Sequence, residues 1–463
     1  AESNIRQTTG CSVIAIDGGT EVPAGYDRDT APTGDTGYAA VGIPGTVAAL
    51  LTAHGEHGTL SREAVLAPAV EWAERGVLLP DGERRRLRDL IHEAGSESKV
   101  ARLFSTDPDG PLVQPALART LRVIAADGHD GFYRGGVAAT MADDIRDGGG
   151  YVTASDLAAY RPRRALVGRT TVGAFEVVGS YLPASGVTVA EILGILDRAV
   201  PEVGGVRALD EGAWAELVAD ALVAGFEDRE IAESMAPEAA VAWLTSDTLL
   251  ERRAREITSE TVASSLSWGR AGGGWQTQAG ATARAIDEPP FTSHLSVADA
   301  EGNVVALTQS LGPTGGARVV TPELGFLYAS TLGGYLTAGG PGYRPWSSQA
   351  PLLMLGEDGQ VVVAGGAGAR RIISALVTTL SRVLHRGMGM EEALTSPRLH
   401  PTGGRIYVEE GWDVHARMAE GGREVVPRER SYFARLNVIE VGAGVWKGVA
   451  EPEWSGASAA GPR

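Results

Sequence analysis

The chain has 463 residues, 43% of them hydrophobic, with a formal net charge of −17 and a pI near 5.0. That apolar content can fill one wide α/β domain or two or three domains. The acidic balance argues against a nucleic-acid or anionic-membrane surface, because phosphate recognition needs a basic face. A single cysteine, Cys11, excludes an intrachain disulfide. No apolar run approaches the length of about 18 residues that a membrane helix needs. The first residues, AESNIRQTTG, lack the basic and apolar regions of a signal peptide, so a cytoplasmic location is the expectation.

In chain order, SVIAID at 12–17 reads as a short buried strand, and a long loop rich in turn formers follows it. From GIPGTVAALLTAHG onward apolar residues recur three and four apart, which predicts helices, with Pro44 suited to a helix start. TASDLAAY opens on a Thr/Ser cap signal. GRTTVGAFEVVGS reads as a strand pair, LPASG as a turn and VTVAEILGILDRA as an amphipathic helix. Residues 206–265 are mostly helical in pattern. A Gly-, Ala- and Pro-rich stretch without apolar period, from about residue 268 to 291, reads as a flexible connector.

After the connector the pattern changes. SHLSVADAEGNVVALTQS and PLLMLGEDGQVVVAGGAG each read as two strands around a turn, and RRIISALVTTLSRVLHRG as a helix. A helical first part and a strand-rich second part fit a layered α/β sandwich better than a doubly wound sheet. SGASAAGPR at the end is expected to be a loose tail.

Thr292 stands directly after the connector and opens the first hairpin. The residues alone leave two readings open. Thr292 could simply start a strand. Alternatively, if the Phe291–Thr292 bond were cut, its new α-amine, with a reference pKa of about 8, could serve as base for its own hydroxyl. His294 is two residues on and shares that strand face, which predicts a packing or hydrogen-bonding role. His54 and His57 lie three apart on a helix, but no third ligand is apparent and a solvated helix face is the simpler reading. GGAGAR lacks both the Walker Lys-Ser/Thr and the dinucleotide GxGxxG spacing.

The motif TSHLSVADAEGNVVALT resembles T-T-H-x-S-V-x-D-x-x-G-N-x-V-x-x-T of the γ-glutamyltranspeptidase family. The likeness extends over GIPGTVAALLTAHGEHGTLSREAVLAPAVEWAERG, DGFYRGGVAATMADDIRDGGGYVTASDLAAYRPR, LPASG, RPWSSQAPLLM, GGAGARRI, EEALTSPRLH and YVEEG, from about residue 12 to 460. The resemblance implies the four-layer αββα sandwich of N-terminal nucleophile hydrolases. It also implies self-cleavage before Thr292 into fragments 1–291 and 292–463 that stay associated, a small-molecule substrate, and no cofactor or metal. By the same resemblance Thr292 is the nucleophile and Ser310 hydrogen-bonds it and aids processing. Gly368 and Ala369 supply oxyanion-hole N–H groups, each worth a few kcal/mol when preorganised. Ser347 and Ser348 match the serines that hold a glutamyl α-carboxylate.

The departures cluster where glutamate would be read. The family arginine of I-D-G-R-E-T-A-P is replaced by Gly19 in IDGGTEVP, and Arg28 in DRDTAP is the candidate substitute. The family acid that takes the α-amine falls at Gly334, with Thr331 in place of a nearby amide or acid, and Gly312 replaces a polar residue after the nucleophile strand. Ahead of SVIAID the family carries a helix with Gly-Gly-Asn-Ala-Val-Asp-Ala-Ala, which AESNIRQTTGC does not resemble. Losing a bidentate clamp and its acidic counterpart leaves an α-amino acid head group poorly held. The expectation is therefore an autoprocessed hydrolase with a non-glutamyl acyl substrate. Family relatives that cleave a C–C bond and release an oxalyl-type fragment for 4-alkylproline antibiotics, and cephalosporin-type acylases, set the range. A conventional γ-glutamyl hydrolase or transferase with Arg28 as clamp, and a non-catalytic binding relative, are the alternatives.

Overall fold

The computed structural model describes residues 3–7, 13–104, 110–181, 183–202, 205, 209–259, 292–336, 339–420, 423–442, 445–451 and 456–460. The expected connector and Phe291 lie outside the described residues. The first region runs β1 (Ser3–Gln7), β2 (Val13–Asp17), α1 (Thr46–His57), α2 (Arg62–Arg75), α3 (Asp81–Ala94), α4 (Lys99–Phe104), α5 (Pro115–Tyr133), α6 (Gly135–Asp147) and α7 (Ala154–Ala159). It continues with β3 (Arg163–Arg164), β4 (Leu166–Val172), β5 (Phe175–Tyr181), α8 (Gly186–Glu202), α9 (Glu211–Ala232), α10 (Pro237–Leu244) and α11 (Asp247–Thr258). The second region holds β6 (Thr292–Ala298), β7 (Val304–Ser310), β8 (Val320–Thr321), β9 (Phe326–Leu327), β10 (Leu352–Gly356) and β11 (Val361–Ala367). After these come α12 (Arg371–Arg386), α13 (Met390–Thr395), β12 (Leu399–Thr402), β13 (Arg405–Glu409), α14 (His415–Glu420), β14 (Glu424–Arg428), β15 (Arg435–Gly442) and β16 (Val445–Ala450).

Two sheets form the centre. One has five strands in the order β3-β2-β1-β7-β6 and the other six in the order β16-β15-β11-β10-β5-β4. They stack through Val178, Val304, Ala306, Leu353 and Val363. Helices α8, α9, α11 and α12 cover the outer face of the six-stranded sheet in one apolar core. Helices α1, α5, α6 and α7 form the opposite helical group, which meets the five-stranded sheet where α1 packs on β2. The architecture is the expected four-layer α/β sandwich. Its fourth layer leaves Leu295 and Val297 on the outer face of edge strand β6 about half exposed, at 51% each.

Neither main sheet belongs to one region. Each sheet joins a block of strands from residues 1–291 to a block from 292–463, edge to edge at β1–β7 in one and at β5–β10 in the other. The strand missed in sequence is β1, which pairs antiparallel with both β2 and β7 and so sits mid-sheet. Its stretch, SNIRQ, has one aliphatic residue and no apolar alternation, so periodicity could not single it out. The capping signal at α7 does form: Thr153 and Asp156 make a reciprocal capping box. The expected loose tail is irregular and exposed at 456–460, and it runs beside β16, with Ser458 against Gly448.

Three outer helices are tied by buried charge. Arg253 of α11 donates from Nε to Asp228 Oδ2 at 2.8 Å and from Nη2 to Oδ1 at 2.6 Å. Glu191 of α8 is fully buried beside Asp228, and burial first, then the Asp228 charge, raises its carboxyl well above the usual range. It therefore stays protonated in the folded protein, whereas in the unfolded chain it ionises above about pH 4.3. The group consequently costs stability as pH rises through and beyond the ordinary carboxylate range. Glu191→Gln keeps the shape and a donor toward Asp228 while removing the titration. The variant should be more stable than the wild type at pH 8, by up to about 1.4 kcal/mol per unit of raised pKa, with the gap shrinking toward pH 4.5. Melting curves at both pH values that show the same gap would disprove this account.

Candidate functional site

The site is built where β6 stacks on β11. Along β6 residues 292, 294 and 296 face inward, toward the six-stranded sheet. Ser296 Oγ donates to Val363 O at 3.2 Å or to Asn437 O at 3.1 Å. His294 lies against Gly365, where a Cβ would collide with its Cε1 atom. Two-residue steps along both strands then carry Thr292 toward the end of β11, which runs into the turn at Gly368 and Ala369.

Thr292 pairs in register with Ser310, the last residue of β7. Their hydroxyl oxygens are 2.9 Å apart, and Ser310 Oγ also accepts from the Gly312 N–H at 3.0 Å. Across the 2.9 Å contact either hydroxyl can donate to the other. Gly312 is a glycine for a backbone reason: its φ is +89° and a Cβ would lie 2.7 Å from Ser330 O. His294 is buried, with Nδ1 2.7 Å from Thr308 Oγ1 and Nε2 3.0 Å from Ser296 Oγ. Burial pushes its imidazole down to about 3, so it is neutral across the physiological range and takes the structural part expected of it.

Gly368 and Ala369 form the turn between β11 and α12, and both backbones are unusual. Gly368 has φ +154°, and a Cβ there would strike Ala434. Ala369 has φ +53°, the left-handed region that costs a non-glycine residue about 1–2 kcal/mol. The carbonyls of this turn are engaged inward: Gly368 O accepts from Arg371 N at 3.2 Å and from Arg371 Nε at 3.2 Å, and Ala369 O accepts from Ile372 N at 3.1 Å. Strain held by such contacts is characteristic of functional turns.

Ser347 and Ser348 are half-buried on the loop before β10. Ser347 N–H donates to Pro183 O at 2.8 Å, Ser185 Oγ donates to Ser347 O at 2.6 Å, and Ser347 Oγ accepts from Gln349 N at 3.1 Å. The LPASG turn thus fixes this loop. Arg229 of α9, which sequence reasoning did not single out, donates from Nη2 to Ser347 O at 3.2 Å and approaches Ser348 Oγ with Nη1 at 3.5 Å.

Arg28 is exposed on the turn after Tyr26 and is not brought to these serines. The cation beside Gly19 is Arg344, whose Cδ lies 3.5 Å from the place of a Gly19 Cβ. Arg344 donates from Nη1 to Asp17 O at 2.9 Å and Asp17 Oδ2 at 2.7 Å, from Nε to Glu21 Oε2 at 3.2 Å, and from Nη2 to Arg161 O at 2.5 Å. Its guanidinium also covers the Tyr160 ring at 4.9 Å. It staples the loop after β2 to the rest of the fold. Gly334 lies in a single 3₁₀ turn, Gly333–Tyr335, that carries no acid. His54 and His57 are occupied locally: His54 Nε2 is 2.8 Å from Leu60 O and His57 Nε2 is 3.5 Å from Glu56. No group of three or more potential metal-ligating side chains occurs among the described residues. No helix among them is long and apolar enough to cross a membrane.

Two further arginines border the turn. Arg370 follows Ala369 directly, and Arg435 is paired with Ala367, hence on the same sheet face. Burial, and then the Arg86 charge, lower Arg435 to about 10. Nothing in the sequence marked these positions, because their relation to Thr292 arises from strand pairing across residues far apart in the chain.

A hydroxyl at the first residue of an edge strand, a serine partner and a strained glycine turn, all between two stacked sheets, define the N-terminal nucleophile hydrolase fold. The Gamma-glutamyltranspeptidase family model matches residues 5–461, and the chain belongs to that family. It is 29% identical over 394 residues to a glutathione hydrolase proenzyme of Pseudomonas sp. (strain A14), covering 79% of this chain and 65% of that protein. It is 28% identical over 401 residues to the acylase ACY 1 proenzyme of Pseudomonas sp. (strain V22), covering 83% and 69%. The chain thus spans about two thirds of the length of these relatives. Cephalosporin acylase from Bacillus halodurans shares the fold, with a TM-score of 0.83 over 100% of this chain and 87% of its own at 20% identity. So does LmbA2991HD, with a TM-score of 0.78 over 97% and 88% at 20% identity.

The His294–Gly365 contact gives the clearest structural test. Gly365→Ala should displace the imidazole, break its two hydroxyl contacts and cost about 1–3 kcal/mol by overpacking. Gly340→Ala, at an exposed position where a Cβ meets nothing, serves as the comparison. A Gly365→Ala protein melting no lower than the Gly340→Ala one would contradict the stacking described.

Proposed function

We propose that this chain is an N-terminal-threonine hydrolase that cuts itself between Phe291 and Thr292 and acts on an acyl group other than γ-glutamyl. The observation that carries the reading is the placement of Thr292 Oγ1, 2.9 Å from Ser310 Oγ, on the inward face of a strand stacked on β11, which leads into the strained turn of Gly368 and Ala369. In processing, the Thr292 hydroxyl attacks the Phe291 carbonyl, the acyl group shifts from nitrogen to oxygen, and water hydrolyses the ester. Fragments 1–291 and 292–463 result, held together because both contribute strands to both main sheets, joined at β1–β7 and β5–β10.

The freed α-amine then takes the hydroxyl proton as Thr292 attacks the substrate carbonyl. The developing alkoxide is received by the N–H groups of Gly368 and Ala369. Collapse expels the leaving group, and water releases the acyl chain. A ketone substrate obeys the same scheme with a carbon leaving group, which is how an oxalyl-type fragment could be released.

The non-glutamyl part of the reading is supported by what surrounds Gly19. A clamp for an α-carboxylate needs a cation with donors to spare, and Arg344 at that place spends its donors on Asp17, Glu21 and Arg161. The absence of an acid in Gly333–Tyr335 removes a partner for an α-ammonium as well. Acyl groups without an α-amino acid head, including the dicarboxylic chains of cephalosporin-type acylases, fit better.

Intact mass is the first test: two fragments meeting at Phe291/Thr292 in the wild type, and one chain in Thr292→Ala. Ser310→Ala, which removes the hydroxyl partner, should slow fragment appearance about tenfold or more. A single uncut wild-type chain would refute self-processing. In the processed protein kcat/KM should rise with pH through an apparent pKa at or below about 8, that of an α-amine, with no limb from the neutral His294. A rate that is flat from pH 5 to pH 9 would speak against the amine as base. On chromogenic anilides, γ-glutamyl should be a worse substrate than glutaryl, and the reverse order would return the reading to a conventional γ-glutamyl enzyme.

A further inference from the structure

We infer that Arg370, backed by Arg229, is the specificity-determining cation of the site and receives a carboxylate on the acyl portion of the substrate. This rests on the acyl-hydrolase reading above and names its substrate class. Arg370 is the residue after Ala369, so its backbone is tied directly to the turn proposed to receive the alkoxide. Arg229, 3% exposed, comes from α9 and is fixed through Ser347 O and Ser348 Oγ. The two guanidinium groups line one cavity of about 30 Å³ together with Phe226, Glu230 and His400. That volume suits a small planar head group, which a guanidinium binds in two-point fashion, and not a ring.

The charge balance of the cavity points the same way. Burial, and then the Arg229 charge, push Arg370 down to about 9, so the two like charges act on one another in the cavity. The acids facing it are Glu230, half-buried, and Glu233, exposed, and burial raises both carboxyls. His400 is buried, within 2.8 Å of Ser374 Oγ through Nδ1, and is held well below its usual range by burial and by Arg371 and Arg370, so it is neutral. The Arg370 charge also acts on Tyr335, in the turn that carries no acid. A cationic substrate group would be repelled here, and an anionic one would relieve the like-charge contact.

The test uses the processed protein and three acids as probes: glutarate, butyrate and L-glutamate, by titration calorimetry at pH 7.5. Glutarate should bind at least about tenfold more tightly than butyrate or glutamate. Arg370→Gln should lose about tenfold or more of that affinity, and Arg370→Lys, which keeps the charge but not the two-point fork, should fall between Arg370→Gln and the wild type. Arg75→Gln, on an exposed surface pair with Glu71, should bind glutarate as the wild type does. Glutarate no tighter than butyrate in the wild type would overturn the inference without needing any variant, as would undiminished glutarate binding in Arg370→Gln. A protein that cuts itself yet shows no glutarate preference refutes only the arginine assignment. A protein that never cuts itself refutes the hydrolase reading and this inference with it.

Discussion

The His294 imidazole, seated on the bare backbone of Gly365, sets the spacing of the two sheets at the end where Thr292 lies. No side chain at residue 365 would allow that approach, and no charged ring would tolerate that burial. Because strand side chains alternate strictly, the contact also fixes the register of everything beyond it. Ser296 meets Val363 and Asn437, His294 meets Gly365, and Thr292 arrives at the turn after Ala367. A slip of one residue would turn Thr292 away from the turn and toward solvent. The position of the candidate nucleophile is therefore a consequence of inter-sheet packing, with its own hydrogen bond to Ser310 as the final adjustment.

The contribution of both regions to both sheets has a second consequence. Strands β1 to β3 share a sheet with β6 and β7, and β4 and β5 share one with β10, β11, β15 and β16. A cut before Thr292 removes one covalent link but exposes no new apolar interface, since the sheet hydrogen bonds and the core between the sheets remain. The chain can therefore be read as one folding unit whose proposed products are inseparable without unfolding. The helical connections of the first region then serve to bring Arg229 and the LPASG turn against the loop of Ser347 and Ser348.

Arginines, and not acids, organise the approach to the site in a chain whose net charge is −17. Arg344 is spent inside the protein as the staple of the loop after β2. Arg229, Arg370 and Arg435 stand around the turn and the serine loop, drawn together from α9, from the start of α12 and from β15. Global charge and local field thus have opposite signs. A small anionic group would be drawn to this point although the chain as a whole is acidic.

Much was legible in sequence because it depends on neighbours in the chain. The hairpin of β6 and β7, the β10–β11 pair, the α12 helix and the α7 capping box all follow from local periodicity and turn chemistry. The Thr292–Ser310 pairing also follows, once the hairpin turn sets the register. The motif carried the family, and with it the layered fold. The middle strand β1 did not show itself, because its residues carry no alternation and its place is defined by strands on both sides. Arg28 looked like the replacement for the lost clamp because it is near Gly19 in sequence; the structure puts Arg344 there, more than three hundred residues away in the chain. The sequence by itself determined which chemistry-bearing residues exist and which of them sit on one hairpin. Tertiary structure alone decided which cations border the site, because long-range strand pairing and helix packing, not chain proximity, choose the neighbours of a buried charge.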